Sequence, residues 1–515
     1  MTLNPDLHLS SLNDQFEIDW LKRWSLYAPN KPALTCGDTG RSLSYFQFFQ
    51  QACIGADFLQ KNYNIKKGDR ILLLSTNEIY TFVLFFAASR LGATLVPINY
   101  RLTESEIKYL VDDSQPSLIV YEPIYLETLQ KVTAGQAVLN LVGAGSFEEA
   151  CQKGSFENSQ AKNFFQSQNH SSALIIYTSG TTGFPKGAMI SHQALFWNSI
   201  NTTLRLNISD NDAAVIFLPL FHTGGWNVLS TPFFHRGAHI ILTKKFDADQ
   251  VLHLSEKYVC TLLFGVPTTM AMMSVSPHFM STNLKSVRYA IVGGEPMPIP
   301  EIEKWHSKNI PIRQGYGLTE FGPNVFSLNE SDSIRKMGSI GFPNFYVEVS
   351  VRDDQNKPCG AGQIGELWLK GPMAMTGYWN KLEATENTFH EGWLKTGDLV
   401  RFDDENYFYV VGRKKEMYKS GGENVYPAEI EKVLSQYPGL REAAVIGVKD
   451  SQWGEVGHAF ISLKEGFTYS ESDLRDYLLK NLAKFKNPKF VTVLKDLPKG
   501  DSGKILKRKL EEWGS

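Results

Sequence analysis

Between residues 170 and 320, short apolar β-rich runs repeatedly end in loops of Gly, Ser and Thr, and helical patterns follow. SALIIY leads into TSGTTG, AAVIFLPL into FHTGG, CTLLFG into VPTTM, VRYAIV into GGEPMP, and IPIRQ into GYGLTE. Continuous apolar strands that alternate with helices predict a parallel sheet covered on both faces, hence an α/β fold. Ligands of such sheets bind beyond the carboxyl ends of the strands, where these small-residue loops fall. Downstream the pattern changes. YVEVSVRDD alternates Val347, Val349 and Val351 with Glu348, Ser350 and Arg352, as a half-buried strand does. GELWLKG and YFYVVGR extend this antiparallel β region, with the DDEN turn (Asp403 to Asn406) between them. A basic stretch, RKKEMYKSGGEN, then opens a mixed α and β segment rich in lysine, which places a domain boundary near Arg413 to Lys415. A chain of 515 residues is too long for one compact domain.

Formal net charge is −2, so no global basic field marks the chain for nucleic acid. The five cysteines (Cys36, Cys53, Cys151, Cys260, Cys359) are scattered, odd in number and without a Cys-x-x-Cys pair. That usage suits a reducing compartment and argues against a disulfide framework or a cysteine zinc site. MTLNPDLHLSSLNDQ has no signal-peptide apolar run, and FVLFFAA from Phe82 stops at Ser89 and Arg90. It falls far short of the ~20 residues of a membrane span. The expectation is a soluble cytoplasmic protein.

TSGTTGFPKG, from Thr178 to Gly187, offers hydroxyl and amide donors to anionic oxygens, glycines for close backbone approach, and one point charge at Lys186. A Walker loop needs G-x-x-x-x-G-K-[ST]; here the order is Gly180-x-x-Gly183-x-x-Lys186-Gly187. The stretch YTSGTTGFPKGAMISH resembles the signature of the AMP-binding, adenylate-forming superfamily, which includes acyl-CoA synthetases, firefly-type luciferases and peptide adenylation domains. Further motifs of that family follow in order: LPLFHTGG at Leu218, GGEP at Gly293, QGYGLTE at Gln314, TGD at Thr396, GRKKEMYKSGGENVYPAEIE at Gly412 and PKGDSGKILKRKL at Pro498. The resemblance implies a large N-terminal adenylation domain over 1–412, with parallel-rich αβ layers and a small β-barrel-like subdomain. A hinge at 413–415 and a small mobile α+β domain over 416–515 would follow.

The resemblance also implies a two-step reaction with Mg²⁺, ATP and CoA: a carboxylate is adenylated with loss of pyrophosphate, and a thiol then takes the acyl group. Thr178, Ser179, Gly180, Thr181, Thr182 and Lys186 would cradle phosphates. Tyr316 would stack on adenine, with Gly293, Gly294 and Glu295 on the other side and Gln314, Gly315, Gly317 and Leu318 beside it. Thr319 would touch the α-phosphate and Glu320 would hold Mg²⁺; Glu320 also reads as a helix-start carboxylate. Asp398 would take both ribose hydroxyls, helped by Arg413. Lys504 would bridge the substrate carboxylate and the α-phosphate, although most lysines near it read as solvated.

For the second step, Lys415 is the implied pivot. Ser420, Gly421 and Gly422 would admit the pantetheine arm, though a glycine pair is also an ordinary turn. Glu423 would help organise that loop. Lys484, Lys486 and Lys489 read either as contacts for CoA phosphates or as a soluble face. The acyl pocket would take in His222, Thr223, Gly224 and Gly317. Trp226 either lines it or fills core. With no carboxylate in LPLFHTGGW, an α-amino acid would bury an unpaired charge. Acetate-specific relatives carry tryptophan at the position of Gly317, so glycine there predicts an open floor. The expected substrate is a medium- or long-chain fatty acid or an aryl acid, with a carboxylate and CoA as partners and a homodimer as a compatible assembly. The alternative is an acyl-AMP ligase that loads a carrier protein.

Overall fold

The computed structural model describes residues 19–133, 135–178, 184–500 and 505–514. They fall into two compact units. One runs to Glu348 and includes Lys370–Leu394; the other takes Val349–Leu369 and the chain from Lys395 onward.

The first unit confirms the α/β class but divides the five apolar runs among three sheets, where a single parallel sheet was expected. Ser172–Thr178 lies in a seven-stranded sheet, in the order Gly377–Tyr378, Lys186–Ser191, Ser172–Thr178, Thr94–Pro97, Arg70–Leu74, Leu118–Tyr121, Ala137–Asn140. Ala213–Ile216 sits at the edge of a four-stranded sheet beside His239–Leu242. Leu262–Gly265, Tyr289–Gly293 and Ile312–Leu318 pair in parallel in a third. An apolar run records that both of its faces are covered, not which neighbour it pairs with.

Two of the five loops lead to antiparallel strands instead of helices. Lys186–Ser191 folds back on Ser172–Thr178 before the helix His192–Leu206 begins. Gly322–Ser327 folds back on Ile312–Leu318. Local rules still hold within the helices. Tyr45–Tyr63 starts with a Ser44–Gln47 capping box, ends on left-handed Asn64, and buries Phe48, Ala52, Ala56 and Leu59 at helical spacing. FVLFFAA falls in Ile79–Arg90, a helix buried on every side. No helix among the described residues is long and apolar enough to cross a membrane.

Three histidines of this unit are packed inside. His192 is buried, His235 stacks on Trp20 and shares a hydrogen bond with Ser199, and His239 shares one with Thr35. Burial lowers each from the ordinary 6.5 to about 4. The unfolded chain therefore takes up protons between those values while the folded chain does not. Stability is full above pH 6.5 and is lost as pH falls towards 4. A series of urea titrations should show the midpoint dropping across that window; a midpoint that stays flat from 6.5 to 4.5 would contradict the neutral burial of these rings.

The second unit holds strands in the order Phe408–Arg413, Trp393–Phe402, Gly365–Lys370, Glu348–Arg352, the first two antiparallel, and a five-stranded sheet. The latter is built on the long pair Leu440–Asp450 and Gly454–Leu463. The helices Pro427–Leu434 and Glu471–Asn481 cover it with Ile430, Leu434, Leu474 and Leu478. This is the expected α+β segment.

Candidate active site

In the first unit, the antiparallel pair Ser172–Thr178 and Lys186–Ser191 closes with Thr178 opposite Lys186, so both ends of the hydroxyl-rich loop stand side by side. Ser179, Gly180, Thr181 and Thr182 lie outside the described residues. Lys186 places its ammonium 5.4 Å from the centroid of the Tyr378 ring, within cation–π range. It also lines a cavity of about 300 Å³ with Tyr109, Phe184, Pro185 and Lys381.

Glu320 occupies the turn between Ile312–Leu318 and Gly322–Ser327, so the reading as a helix-start carboxylate is corrected: no helix begins there. One carboxylate oxygen accepts the Tyr378 hydroxyl at 2.8 Å and the Thr178 hydroxyl at 3.4 Å. Thr319 precedes it in the same turn and is half-buried. The donors here are hard oxygens. Among the described residues no group of three or more His, Cys, Asp or Glu forms a protein cage for a metal. That pattern suits Mg²⁺, which is commonly held by one or two carboxylates together with phosphate oxygens.

Gly293 and Gly315 are direct neighbours on parallel strands, and a Cβ on Gly293 would stand 3.5 Å from the Gly315 carbonyl oxygen. Gly294 and Glu295 are exposed beyond the strand end. Buried Gln314 accepts the Met297 N–H at 3.0 Å, which pins the GGEP turn beside the Tyr316 strand. Tyr316 is half-buried, edge-on to Phe326 at 5.8 Å, so the alternative of a fully buried core tyrosine is not met. Leu318 closes the strand.

A Cβ built on Gly317 would lie 2.2 Å from the Pro323 carbonyl carbon and oxygen. The hairpin carries a register shift between Tyr316 and Leu318, and its return strand occupies the space a side chain would take. A backbone contact therefore requires glycine here.

The His222 segment is irregular. His222 packs on Phe221 with ring centroids 4.5 Å apart, and Thr223 accepts from the Asn227 side chain at 3.0 Å. Gly224–Val228 forms one π-helical turn, a feature common at functional sites. Trp226 is core: it is fully buried between Phe82 and Phe85 and its N–H donates to the Leu220 carbonyl. Its place among the pocket residues is corrected accordingly, because a side chain enclosed by the helix Ile79–Arg90 has no free face. Asn77, which the sequence analysis missed, holds this segment. Its amide donates to the Leu218 and Thr243 carbonyls at 3.1 and 3.2 Å and accepts from the Leu220 N–H at 3.0 Å. An asparagine between strand and helix reads as an ordinary turn residue, so no local signal marks it.

In the second unit Asp398 and Arg413 face each other across two strands, and the Arg413 Nε lies 2.8 Å from a carboxylate oxygen of Asp398. Arg413 also donates to the Thr396 carbonyl at 3.2 Å. The Asp398 side chain is almost wholly buried. Lys415 is exposed in the short turn that follows. Ser420 and Glu423 pair across a two-residue hairpin, with Gly421 and Gly422 at φ +60° and +92°. Two successive positive φ values demand glycine for the turn itself. A groove of about 580 Å³ lined by Lys419, Lys449 and Glu455 adjoins it. Lys486 is held by both oxygens of Glu429 and Lys489 by Asp450, while Lys484 is exposed. Lys504 lies outside the described residues. On either side of it, Leu506 N–H donates to the Pro498 carbonyl at 2.8 Å and Lys507 bridges Glu416 and Glu431 at 2.8 Å each.

An α/β unit that sets Thr178 and Lys186, the ends of a hydroxyl-rich segment, beside a turn carboxylate suits an enzyme that handles nucleotide phosphates. Residues 21–379 match the AMP-binding enzyme family and residues 429–504 match the AMP-binding enzyme C-terminal domain. The chain belongs to the AMP-binding enzyme family. It is 35% identical to a feruloyl-CoA synthase of Amycolatopsis sp over 95% of this chain and 97% of that one. It is 34% identical to the long-chain-fatty-acid–CoA ligase FadD13 of Mycobacterium tuberculosis, over 96% and 98% of the two chains. Among solved structures, the o-succinylbenzoate coenzyme A synthetase MenE of Bacillus subtilis, in complex with ATP and magnesium ion, superposes with a TM-score of 0.86 at 30% identity, covering 96% of this chain and 99% of that one.

Proposed function

We propose that this protein is an AMP-forming carboxylic acid–CoA ligase that uses Mg²⁺, ATP and CoA and acts on a medium- or long-chain fatty acid or an aryl acid. The observation that carries the reading is the convergence of Thr178, Lys186 and Glu320 at the mouth of one hairpin, in a chain that aligns along almost its whole length with CoA ligases. The substrate class is supported by the acids named for two of those relatives, one aryl and one long-chain, and by the lack of a carboxylate in the His222 segment.

In this reading the residues from Thr178 to Lys186 hold the β- and γ-phosphates. Glu320 holds the metal, with Thr319 beside it on the α-phosphate. When bound, Mg²⁺ offsets phosphate charge and favours approach of the anionic acid. Tyr316 carries the adenine against the Gly293–Gly315 strip. Asp398, oriented by Arg413, holds the ribose. Lys504 draws the substrate carboxylate towards the α-phosphate, and His222 lines the approach of the acid. The C-terminal segment pivots at Lys415 for the second step, presenting Ser420, Gly421 and Gly422 to the CoA arm. We place the enzyme in the cytoplasm, where ATP and CoA are plentiful. The relatives are named as CoA ligases, which disfavours a carrier-protein acceptor.

One incubation with Mg-ATP, CoA and a panel of fatty, benzoic and cinnamic acids tests the reading by mass spectrometry. Acyl-CoA together with AMP is expected. Release of ADP, or acyl-AMP that accumulates with CoA present, would overturn it.

A further inference from the structure

Residues 375–379 were not singled out by any motif, yet they join the two charged elements of the phosphate site. The Met375 N–H donates to the Glu320 carbonyl at 2.8 Å. The Thr376 N–H donates to the Met189 carbonyl at 3.0 Å and the Trp379 N–H to the Gly187 carbonyl at 2.8 Å, so the segment is stitched to the strand that begins at Lys186. The Tyr378 N–H donates to the Thr385 hydroxyl at 2.9 Å. Gly377 sits at φ +145°, and a Cβ there would stand 2.8 Å from the Thr385 methyl. The backbone that carries Tyr378 is thereby held from three sides.

From that fixed point one side chain reaches both charges. Its hydroxyl donates to Glu320 at 2.8 Å, and its ring lies 5.4 Å from the Lys186 ammonium. A charge-assisted hydrogen bond restricts which way a carboxylate faces, and the ring face attracts the cation without neutralising it. Each charge thus has a contact with Tyr378, and an ion pair between the two would close the site to phosphate and metal together.

We propose that Tyr378 is a positioning residue that holds the metal-binding carboxylate of Glu320 and the phosphate-binding ammonium of Lys186 apart and correctly aimed. The inference rests on the reading of Glu320 and Lys186 given above. The hydroxyl serves the metal and the ring serves the lysine, so two substitutions separate them. Tyr378→Phe keeps the ring and removes the donor; Tyr378→Leu removes both.

The test is binding, measured by thermal shift with ATP at increasing Mg²⁺ and independently with Mn²⁺ by electron paramagnetic resonance. The wild-type protein must first show metal-dependent stabilisation by ATP; if it does not, the functional reading itself fails. Given that response, Tyr378→Phe is expected to need on the order of 10-fold more Mg²⁺ for half-maximal stabilisation, with metal-free ATP binding unchanged. Tyr378→Leu is expected to weaken metal-free ATP binding as well. In a Glu320→Gln background the Phe substitution should add no further change, since the hydroxyl would then have no carboxylate to aim. An unchanged Mg²⁺ midpoint in Tyr378→Phe, or full additivity with Glu320→Gln, would overturn the proposal. The Phe variant loses a hydroxyl and no packing volume, so its unliganded melting temperature should stay near wild type; a large fall would assign Tyr378 to the fold alone.

Discussion

Replacing Lys504 with alanine is expected to lower the adenylation rate by on the order of 10²–10³, the scale of losing one preorganised charge contact, while acyl-AMP supplied from outside is still converted to thioester. Several of the lysines near it are paired with carboxylates. Lys499 is paired with Glu442. Lys507 bridges Glu416 and Glu431 and is largely buried. Lys486 and Lys489 are committed to Glu429 and Asp450. Those ammonium groups are spent on the fold of the C-terminal segment, and a catalytic lysine must keep its charge for substrate. Pyrophosphate exchange and thioester formation from synthetic acyl-AMP read the two half-reactions separately. Equal loss of both would remove Lys504 from the adenylation step.

Gly317→Ala is expected to destabilise the first unit by about 1–3 kcal/mol and to reduce adenylation of short and long acids together by on the order of 10². The added methyl would meet the Pro323 carbonyl at 2.2 Å, and a backbone neighbour cannot rotate aside as a side chain can. The hairpin must open, and Tyr316 and Glu320 both ride on it. Calorimetry gives the stability change, and rates on acids of graded length give the pattern. If activity is lost only for the longer acids and the melting temperature holds, the methyl has entered an acyl pocket and the steric reading of Gly317 is wrong.

These cases mark where local information sufficed. The glycine pair at Gly421 and Gly422 was legible as a turn because two positive φ values are a property of the residues themselves. The half-buried strand at Glu348–Arg352 followed from spacing alone, whereas FVLFFAA by itself says only that it is too short to span a membrane, and its place in the wholly buried helix Ile79–Arg90 is a finding of the structure. Order and spacing of the motifs carried the family and the residue types proposed above to meet phosphate and ribose. Asp398 and Arg413, fifteen residues apart in sequence, proved to be cross-strand partners.

The sequence by itself therefore determined the class of fold, the family and the chemistry of the loops, because each is written in short-range pattern. Tertiary structure alone decided the division into three sheets, the burial of Trp226, the backbone contact that requires Gly317, and the contacts of Asn77 with the segment before His222 and of Tyr378 with Glu320 and Lys186. All of these depend on which distant segments become neighbours. Glu320 and Tyr378 are 58 residues apart, and no periodicity within either segment records that one will donate a hydrogen bond to the other.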